Sequence, residues 1–180
     1  GQIHLFREFQ APHPVSRLYP AGTLGVSSRE MDAIRAQIGF PLVFKLDYGG
    51  EGDTVARIED ADHLRAHLRA TAASARCPFL VQRLIPAGQR SLRVVVIGQR
   101  LISYWRVNPD PQRFGTSAAN GARIDHDTDP DLQATGRRLA RDLCDRSGID
   151  LAGLDLIFAS DGPGPVFLEI NYYFGRRGLG

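Results

Sequence analysis

The sequence has few residues of the kinds that mark disulfide-bonded, zinc-binding or membrane-spanning proteins. Its two cysteines, Cys77 and Cys144, are far apart and lie outside any CxxC or histidine-rich stretch. This usage predicts reduced thiols in a cytoplasmic protein and argues against a zinc site. No apolar run approaches the ~20 residues that a membrane-spanning helix needs. We therefore expect no membrane partner.

Excess charge is also missing. The 180 residues include 22 Lys and Arg against 20 Asp and Glu, a formal net charge of +2, and the arginines are spread along the chain. A protein so near to charge balance is not expected to bind nucleic acid or an acidic membrane surface. Hydrophobic residues make up 43% and charged residues 23%, as in an ordinary globular protein. The length allows one sizeable core or two small ones.

Lysine is almost absent, because Lys45 is the only lysine in the chain. It lies in an apolar stretch just before Gly49, Gly50 and Gly52. Glycines let backbone N–H groups approach an anion closely, and a lysine adds a mobile positive charge, so the pattern suits a polyphosphate. The spacing matches neither a Walker A loop nor a dinucleotide-binding fingerprint. A glycine-rich hairpin turn whose lysine extends to solvent explains this stretch equally well.

Helix and strand patterns mix without a strict βαβ rhythm, which predicts the α+β class. A break at Pro86-Ala87-Gly88 divides the chain into two lobes, residues 27–86 and 87–180, preceded by a connecting segment, residues 1–26. The expected helices begin after the caps Ser27 and Asp60 and at Asp131, and the third has Leu132, Leu139 and Leu143 on its apolar face. The expected strands cover residues 42–46, 54–58, 79–85, a hairpin over 91–107, and a final hairpin that pairs 151–159 with 166–171.

The final hairpin carries three oxygen-bearing side chains at alternating positions. If it turns symmetrically around Gly162, Asp155 lies opposite Glu169, and Asn171 faces the same side two residues on. Two facing carboxylates repel each other unless a cation joins them. Three oxygen donors on one face suit Mg²⁺, so we predict a metal site there. The alternative is a solvated acidic face, and a one-residue slip in register would undo the arrangement.

The hairpin over residues 91–107 places two arginines together. Around its turn at Gly98-Gln99, Arg93 and Arg106 fall on one face, and Ser91 lies opposite Arg106. Arginine is suited to bidentate contact with phosphate or carboxylate groups. An exposed sheet face with ordinary surface arginines explains this hairpin when it is considered alone.

A lysine for phosphates, two arginines and a carboxylate hairpin are together what a nucleoside-triphosphate site requires. Their order resembles the ATP-grasp carboxylate–amine ligases, and most closely the RimK-like branch that contains the ribosomal-protein glutamate ligases. The likeness runs from about Pro41 to Gly178 and includes five motifs in the same order. These are FPLVFKLDYGGEGDTV, FLVQRLIPAG, SLRVVVIGQRLISYWRV, LAGLDLIF and VFLEINYYFGRRG.

The resemblance implies an ATP-grasp fold, in which the two α+β lobes grip ATP between them. It also implies that a domain preceding these lobes in the family is absent from this sequence and that the second lobe is truncated. The chain begins at Gly1 rather than Met, which agrees with that expectation.

The resemblance further implies roles for individual residues. Mg²⁺, or Mn²⁺ in its place, would be held by Asp155, Glu169 and Asn171. Arg106 and Arg93 would be catalytic, with Arg106 stabilising an acyl phosphate. The implied nucleotide contacts are Lys45, Gly49, Gly50, Gly52, Gln82, Arg83, Leu84, Ile85 and Arg93.

The activity implied is an ATP- and Mg²⁺-dependent ligation of a small-molecule or peptide carboxylate to an amine through an acyl phosphate. Arg83, Ser91 and Ser117 depart from residues that are common in relatives, which bears on nucleotide orientation and acceptor handling. Two alternatives stay open: a nucleotide-binding regulatory module without turnover, and a metal-dependent phosphotransferase. A homo-oligomer is a further open expectation.

Overall fold

The computed structural model describes residues 1–23, 25–46, 54–71, 77–110, 114–116, 121–160, 162 and 164–179. The chain forms two compact units. The small unit is Pro14–Leu84, and the large unit combines Gly1–His13 with Ile85–Gly180. Within the described ranges, every helix is too short or too polar to cross a bilayer.

Four helices and nine strands follow one another along the described chain. In order they are α1 (Gln2–Glu8), β1 (Ser16–Tyr19), α2 (Ser28–Gln37), β2 (Leu42–Leu46), β3 (Val55–Ile58), α3 (Ala61–Ala70), β4 (Phe79–Arg83), β5 (Arg90–Ile97), β6 (Arg100–Val107), β7 (Arg123–Asp125), α4 (Pro130–Ser147), β8 (Leu151–Phe158) and β9 (Pro165–Asn171).

The small unit is a four-stranded antiparallel sheet in the order β1-β4-β2-β3. Its helices begin as the sequence predicts, because Ser27 and Glu30 form a capping box and the Asp60 side chain accepts two backbone N–H groups of α3. One face of the sheet packs against both helices. The fully buried side chains of this core include Ile34, Leu42, Ile58, Leu64 and Val81.

The large unit is a five-stranded antiparallel sheet in the order β7-β6-β5-β8-β9, with α4 packed against β5 and β6. The apolar face predicted for α4 was partly wrong. Leu143 is buried, but Leu132 and Leu139 are only half-buried. The other buried positions of α4 are Gln133, Gly136, Ala140 and Cys144.

Gly136 explains why α4 buries a face of mostly small residues instead of the predicted leucine face. A Cβ at that position would stand 2.3 Å from Cδ2 of Leu92 on β5. Only a residue without a side chain allows the helix to approach the sheet this closely. The helix therefore presents small residues to the sheet, which hydrophobicity alone does not predict.

The first 26 residues contain regular structure where a connecting segment was expected. Helix α1 lies beside the edge strand β9, where Phe6 stacks on Phe167 with ring centroids 5.5 Å apart. The backbone N–H of Ile170 donates to Oε1 of Gln2, and that of Phe167 donates to the carbonyl of Pro12. Strand β1 belongs to the sheet of the small unit.

The register of the final hairpin agrees with the prediction at Asp155 and Glu169, two of the predicted metal ligands. Asp155 pairs with Glu169, and Asn171 pairs with Gly153. Closer to the turn the register shifts by one residue, because Leu156 pairs with Phe167 and leaves Leu168 as a bulge. Phe167 rather than Leu168 is consequently the buried residue at this point.

Candidate active site

Three adjacent strands of the large unit bring the predicted basic and acidic residues together. Arg93 on β5 lies opposite Asp155 on β8, and Arg106 on β6 lies opposite Ser91 on β5. In an antiparallel sheet, directly opposite residues point to the same face. The prediction that Arg93 and Arg106 share one face of their hairpin is confirmed, and their ion pairs place Asp155 on the same face.

Asp155 is the centre of this cluster and is only 2% exposed. Its two oxygens accept hydrogen bonds from Nε and Nη2 of Arg93, a bidentate arrangement that is among the strongest available to a carboxylate. Nη2 of Arg106 lies 2.8 Å from Oδ2 of the same carboxylate. One buried carboxylate therefore serves two guanidinium groups.

Burial alone would lower the pKa of the Arg93 guanidinium, because it disfavours the charged form. The charge of Asp155 and its hydrogen bonds more than offset this effect, so the pKa of Arg93 is raised above its ordinary value. Arg93 is thus held as a cation in a fixed orientation.

Gly153 on β8 makes room for Arg93. A Cβ at Gly153 would lie 2.7 Å from Nη1 and 3.4 Å from Cδ of Arg93. The guanidinium therefore crosses the strand over a residue that has no side chain. Sequence reasoning missed this role, although a lone glycine inside a strand is a signal of close approach.

Tyr104 is a second residue whose role sequence reasoning missed. It lies opposite Arg93, and its hydroxyl donates to the carbonyl of Arg177, 2.9 Å away. A Cβ at Gly178 would meet its ring at 2.6 Å. Burial raises the pKa of the Tyr104 phenol, while Arg93 and Arg106 act in the opposite direction. The side chain therefore stays neutral and holds the segment after β9.

The residues predicted to hold Mg²⁺ meet on this face. Nδ2 of Asn171 donates to Oδ2 of Asp155, 3.3 Å away, and Glu169 is exposed beside them on β9. Oδ2 of Asp155 already faces three donors, whereas Oδ1 has one, from Arg93. A carboxylate oxygen can accept about two hydrogen bonds or metal contacts. The donor set of one Asp155 oxygen, Glu169 and Asn171 therefore fits a hard cation that prefers oxygen ligands.

Groups of three or more His, Cys, Asp or Glu side chains placed to hold a metal ion are absent from the part of the chain that the structure describes. Any metal bound here would thus depend on the asparagine and on ligand oxygens. Cys144 is a free thiol whose pKa is raised by burial. That shift disfavours the reactive thiolate.

In the small unit, Lys45 and Gln82 lie on the same face of the sheet. Lys45 pairs with Val55 and Leu80, and Gln82 pairs with Val43, so all these side chains point away from α2 and α3. Gln82 is buried, and its Nε2 donates to the hydroxyl of Ser16 at 3.0 Å. The predicted glycine loop, with Gly49, Gly50 and Gly52, lies outside the described residues.

The other predicted nucleotide contacts follow Gln82. Strand β4 ends at Arg83, so Leu84 and Ile85 lie beyond it, where the sequence had predicted that the strand continues. The Arg83 side chain bonds the carbonyls of Gln37 and Ile38, which are the last groups of α2. The side chain therefore caps a helix, and the backbone N–H of Arg83 donates to the carbonyl of Val15.

The chain matches known proteins over most of its length. Residues 18–179 match the family model of the RimK-like ATP-grasp domain. A protein of Hahella chejuensis (strain KCTC 2396) named probable alpha-L-glutamate ligase 2 is 30% identical over 149 residues, which cover 82% of this chain and 47% of that protein. Beta-citrylglutamate synthase B of Danio rerio is 31% identical over 129 residues, covering 69% and 30%. The chain thus spans about half the length or less of these relatives.

A solved structure shows the same fold. The crystal structure of a RimK domain ATP-grasp protein from Sphaerobacter thermophilus DSM 20745 superposes with a TM-score of 0.67 at 24% identity, and the match covers 97% of this chain and 59% of that one. The predicted α+β ATP-grasp fold and the predicted family resemblance are confirmed. The chain belongs to the RimK-like ATP-grasp family.

Proposed function

We propose that the chain is the ATP-grasp part of an ATP- and Mg²⁺-dependent ligase that joins a carboxylate to an amine. The observation that carries this proposal is the buried cluster of Arg93, Asp155 and Arg106 beside Glu169 and Asn171. Such a cluster offers cations for phosphoryl oxygens and oxygen ligands for a metal on one face of one sheet. Two relatives are named as a probable alpha-L-glutamate ligase and a beta-citrylglutamate synthase. These names support an acidic small molecule or peptide as the substrate.

The proposed reaction has two steps. A carboxylate oxygen attacks the γ-phosphorus of ATP and ADP leaves, which gives an acyl phosphate. The amine nitrogen then attacks the acyl carbon, phosphate leaves, and the nitrogen loses a proton to form the amide. Bound Mg²⁺ supplies charge neutralisation at the phosphates, as in other phosphoryl transfers.

The residues of this chain would contribute position and charge. Arg93, fixed by Asp155 over Gly153, would contact a phosphoryl oxygen without reorganising. Arg106 would stabilise the oxygens that become negative in both steps. Glu169, Asn171 and one oxygen of Asp155 would hold the metal.

Lys45 and the backbone around Gln82 to Ile85 would contact the nucleotide from the small unit, together with the glycine loop at residues 49, 50 and 52. A cytoplasmic location is proposed because ATP is available there and because Cys77 and Cys144 are free thiols.

Calorimetry with ATP and MgCl₂, followed by phosphate release in a screen of amino acids and short peptides, tests this function. We expect Mg²⁺-dependent ATP binding and phosphate release that requires both a carboxylate and an amine, with L-glutamate the first candidate. ATP binding without such release would support a regulatory module. Release that needs no amine would support a phosphotransferase, and no ATP binding would exclude all three.

Asp155→Asn is the informative variant, because it removes the charge that both guanidinium groups share. We expect phosphate release to fall by about 10²-fold or more, as when one preorganised electrostatic group is lost. Asp62→Asn is a matched control, since Asp62 forms an exposed pair with Arg65 on α3. Equal activity of both variants would contradict the proposed site.

A further inference from the structure

Two tyrosines at the start of the segment that follows β9 are exposed to solvent. Tyr172 and Tyr173 come directly after Asn171 and are 55% and 97% exposed. Single exposed apolar residues are ordinary on a protein surface, but neighbouring aromatic residues form a patch that a partner can cover. Tyrosine is also enriched at the centres of binding interfaces, because its rigid ring offers a large contact area. The pair therefore indicates a binding surface that the proposed reaction does not use.

Two arginines in the same segment add positive charge. Arg176 and Arg177 are exposed, and among the described residues neither guanidinium group has a hydrogen-bond or ion-pair partner. The sequence contains no Asp or Glu after Glu169, which the proposed function gives to the metal. The charge of the segment is thus not balanced by its neighbours in sequence. A partner that carries carboxylates or other anionic groups complements it best.

The segment is held in place by contacts with β6. The hydroxyl of Tyr104 donates to the carbonyl of Arg177, 2.9 Å away. A Cβ at Gly178 would stand 2.6 Å from the ring of Tyr104, so the backbone lies directly against that ring. Tyr104 in turn lies opposite Arg93, which is part of the buried cluster. A surface fixed in this way loses little conformational freedom when it binds a ligand.

The short chain distance from Asn171 limits where a ligand of this surface can lie. Two residues of extended chain span about 7 Å, so the Cα of Tyr173 is no further than that from the Cα of Asn171. A peptide on the ring of Tyr173 therefore reaches the predicted metal ligands with one or two further residues. A single amino acid spans only about 3.5 Å of backbone, so a peptide binds at both places more readily.

We propose that residues 172–177 recognise an acidic peptide, and that such a peptide is the substrate of the proposed ligase. The rings of Tyr172 and Tyr173 contact the peptide backbone and its side-chain carbons, and Arg176 and Arg177 pair with its carboxylates. This inference rests on the proposed function for the reaction itself. It adds the place where the substrate is recognised and a substrate longer than one residue.

A nucleic acid is the other polymer that combines negative charge with groups that stack on aromatic rings. It fits this surface less well, because each nucleotide brings a charged phosphate and the segment offers only two arginines. The net charge of +2 for the whole chain adds little to the attraction. The observations therefore favour the peptide.

Calorimetry with the 180-residue chain tests the surface directly. The probes are triglutamate, the uncharged triglutamine, L-glutamate and hexauridylate. We expect triglutamate to bind at least about tenfold more tightly than triglutamine or L-glutamate, and its affinity to fall as added salt screens the arginines. No binding of triglutamate, equal affinities for triglutamate and triglutamine, or tighter binding of hexauridylate would overturn the proposal.

Arg176→Gln/Arg177→Gln removes both positive charges from the segment. Its matched control is Arg69→Gln/Arg138→Gln, because Arg69 on α3 and Arg138 on α4 are also exposed. We expect the first double variant to weaken triglutamate binding about fivefold or more, since two ion pairs are lost, and the control to stay within about twofold of wild type. Equal affinities in the two double variants would contradict the proposed surface.

Tyr173→Ala removes the more exposed ring, and Tyr173→Phe is its control because it keeps the ring. The side chain is almost fully exposed, so neither substitution disturbs the packing of the fold. We expect Tyr173→Ala to weaken triglutamate binding about tenfold and Tyr173→Phe to stay within about twofold of wild type. Wild-type affinity in Tyr173→Ala would also overturn the proposal.

Phosphate release with MgATP separates this inference from the proposed function. Triglutamate and L-glutamate each carry a carboxylate and an amine, so each is tested as the sole substrate. We expect Tyr173→Ala to raise the KM for triglutamate about tenfold, with kcat and the KM for L-glutamate unchanged. Release that is insensitive to the substitution with both substrates overturns only the inference. Peptide binding that is weakened by the substitution, without phosphate release from either substrate, overturns only the proposed function.

Discussion

Arg93 lies across Gly153, so that a Cβ on the glycine would stand 2.7 Å from the guanidinium Nη1. The same guanidinium makes two hydrogen bonds to Asp155, two residues further along β8. Because Gly153 has no side chain, Arg93 can lie across it and form the ion pair with Asp155. Neither residue could be replaced without moving the arginine.

We expect Gly153→Ala to destabilise the large unit and to impair ligation. The added methyl group pushes Arg93 out of its bidentate contact, and overpacking of this kind costs about 1–3 kcal/mol. Urea unfolding measures the loss of stability, and phosphate release measures the loss of activity. Gly25→Ala is the matched control, because a Cβ there has nothing within 4 Å and the residue does not need a positive φ. A Gly153→Ala variant as stable and active as wild type would contradict this account.

Arg83 gives a prediction that separates a structural role from a nucleotide contact. Its guanidinium donates to the carbonyls of Gln37 and Ile38, at the C-terminal end of α2, where a cation is also favoured by the helix dipole. We expect Arg83→Met to lower the free energy of unfolding by about 1 kcal/mol. ATP affinity should remain within a few-fold of wild type, because the proposed contact uses the backbone. A large loss of affinity in a stably folded Arg83→Met variant would show that the side chain binds the nucleotide.

The pairing of the strands could be predicted because the turns and the alternation of polar residues determine it. The turn at Gly98-Gln99 places Ser91 opposite Arg106, and the position of Gly162 places Asp155 opposite Glu169. The bulge at Leu168 could not be predicted, because one extra residue shifts the pairing on the turn side by one position and leaves Asp155 opposite Glu169 as expected.

The surroundings of the site depended on contacts between residues distant in sequence. The buried face of α4 follows from the fit of Gly136 over Leu92, which periodicity does not reveal. The role of α1 depends on pairing with the edge of β9, which lies more than 150 residues away in sequence. The contact of the Arg83 side chain with the end of α2 also joins residues that are distant in sequence. Such tertiary choices are made by packing rather than by local pattern.

His67 predicts a pH-dependent stability of the small unit. Its ring packs edge-on against Phe44 with centroids 4.7 Å apart, and burial, aided by His63, lowers its pKa below the ordinary value. A histidine with a depressed pKa in the folded state binds its proton more readily when unfolded. Its contribution to stability is therefore complete above about pH 6.5 and is lost as the pH falls from there through the folded-state pKa.

We expect the free energy of unfolding to fall between about pH 7 and about pH 5, and the fall to be smaller in His67→Gln. Urea unfolding at both pH values measures it, and NMR titration of the ring gives the folded-state pKa directly. His4→Gln, at an exposed position of α1, is the matched control and should keep the wild-type difference. A His67 pKa at or above the ordinary value would refute the prediction.

Lys45 is the residue for which the difference between lysine and arginine is expected to matter most. It lies on β2 between Val55 and Leu80, in the middle of a sheet, on the face that does not pack against the helices. A compact ammonium on a flexible stem can approach phosphoryl oxygens between such neighbours, whereas a planar guanidinium needs more room.

We expect Lys45→Ala to weaken MgATP binding by about tenfold or more, and Lys45→Arg to restore little of it. Calorimetry measures both affinities, and Arg65→Ala on α3 is the control for the loss of one exposed cation. Wild-type affinity in Lys45→Arg would show that charge alone is required at this position, and wild-type affinity in Lys45→Ala would remove Lys45 from the site.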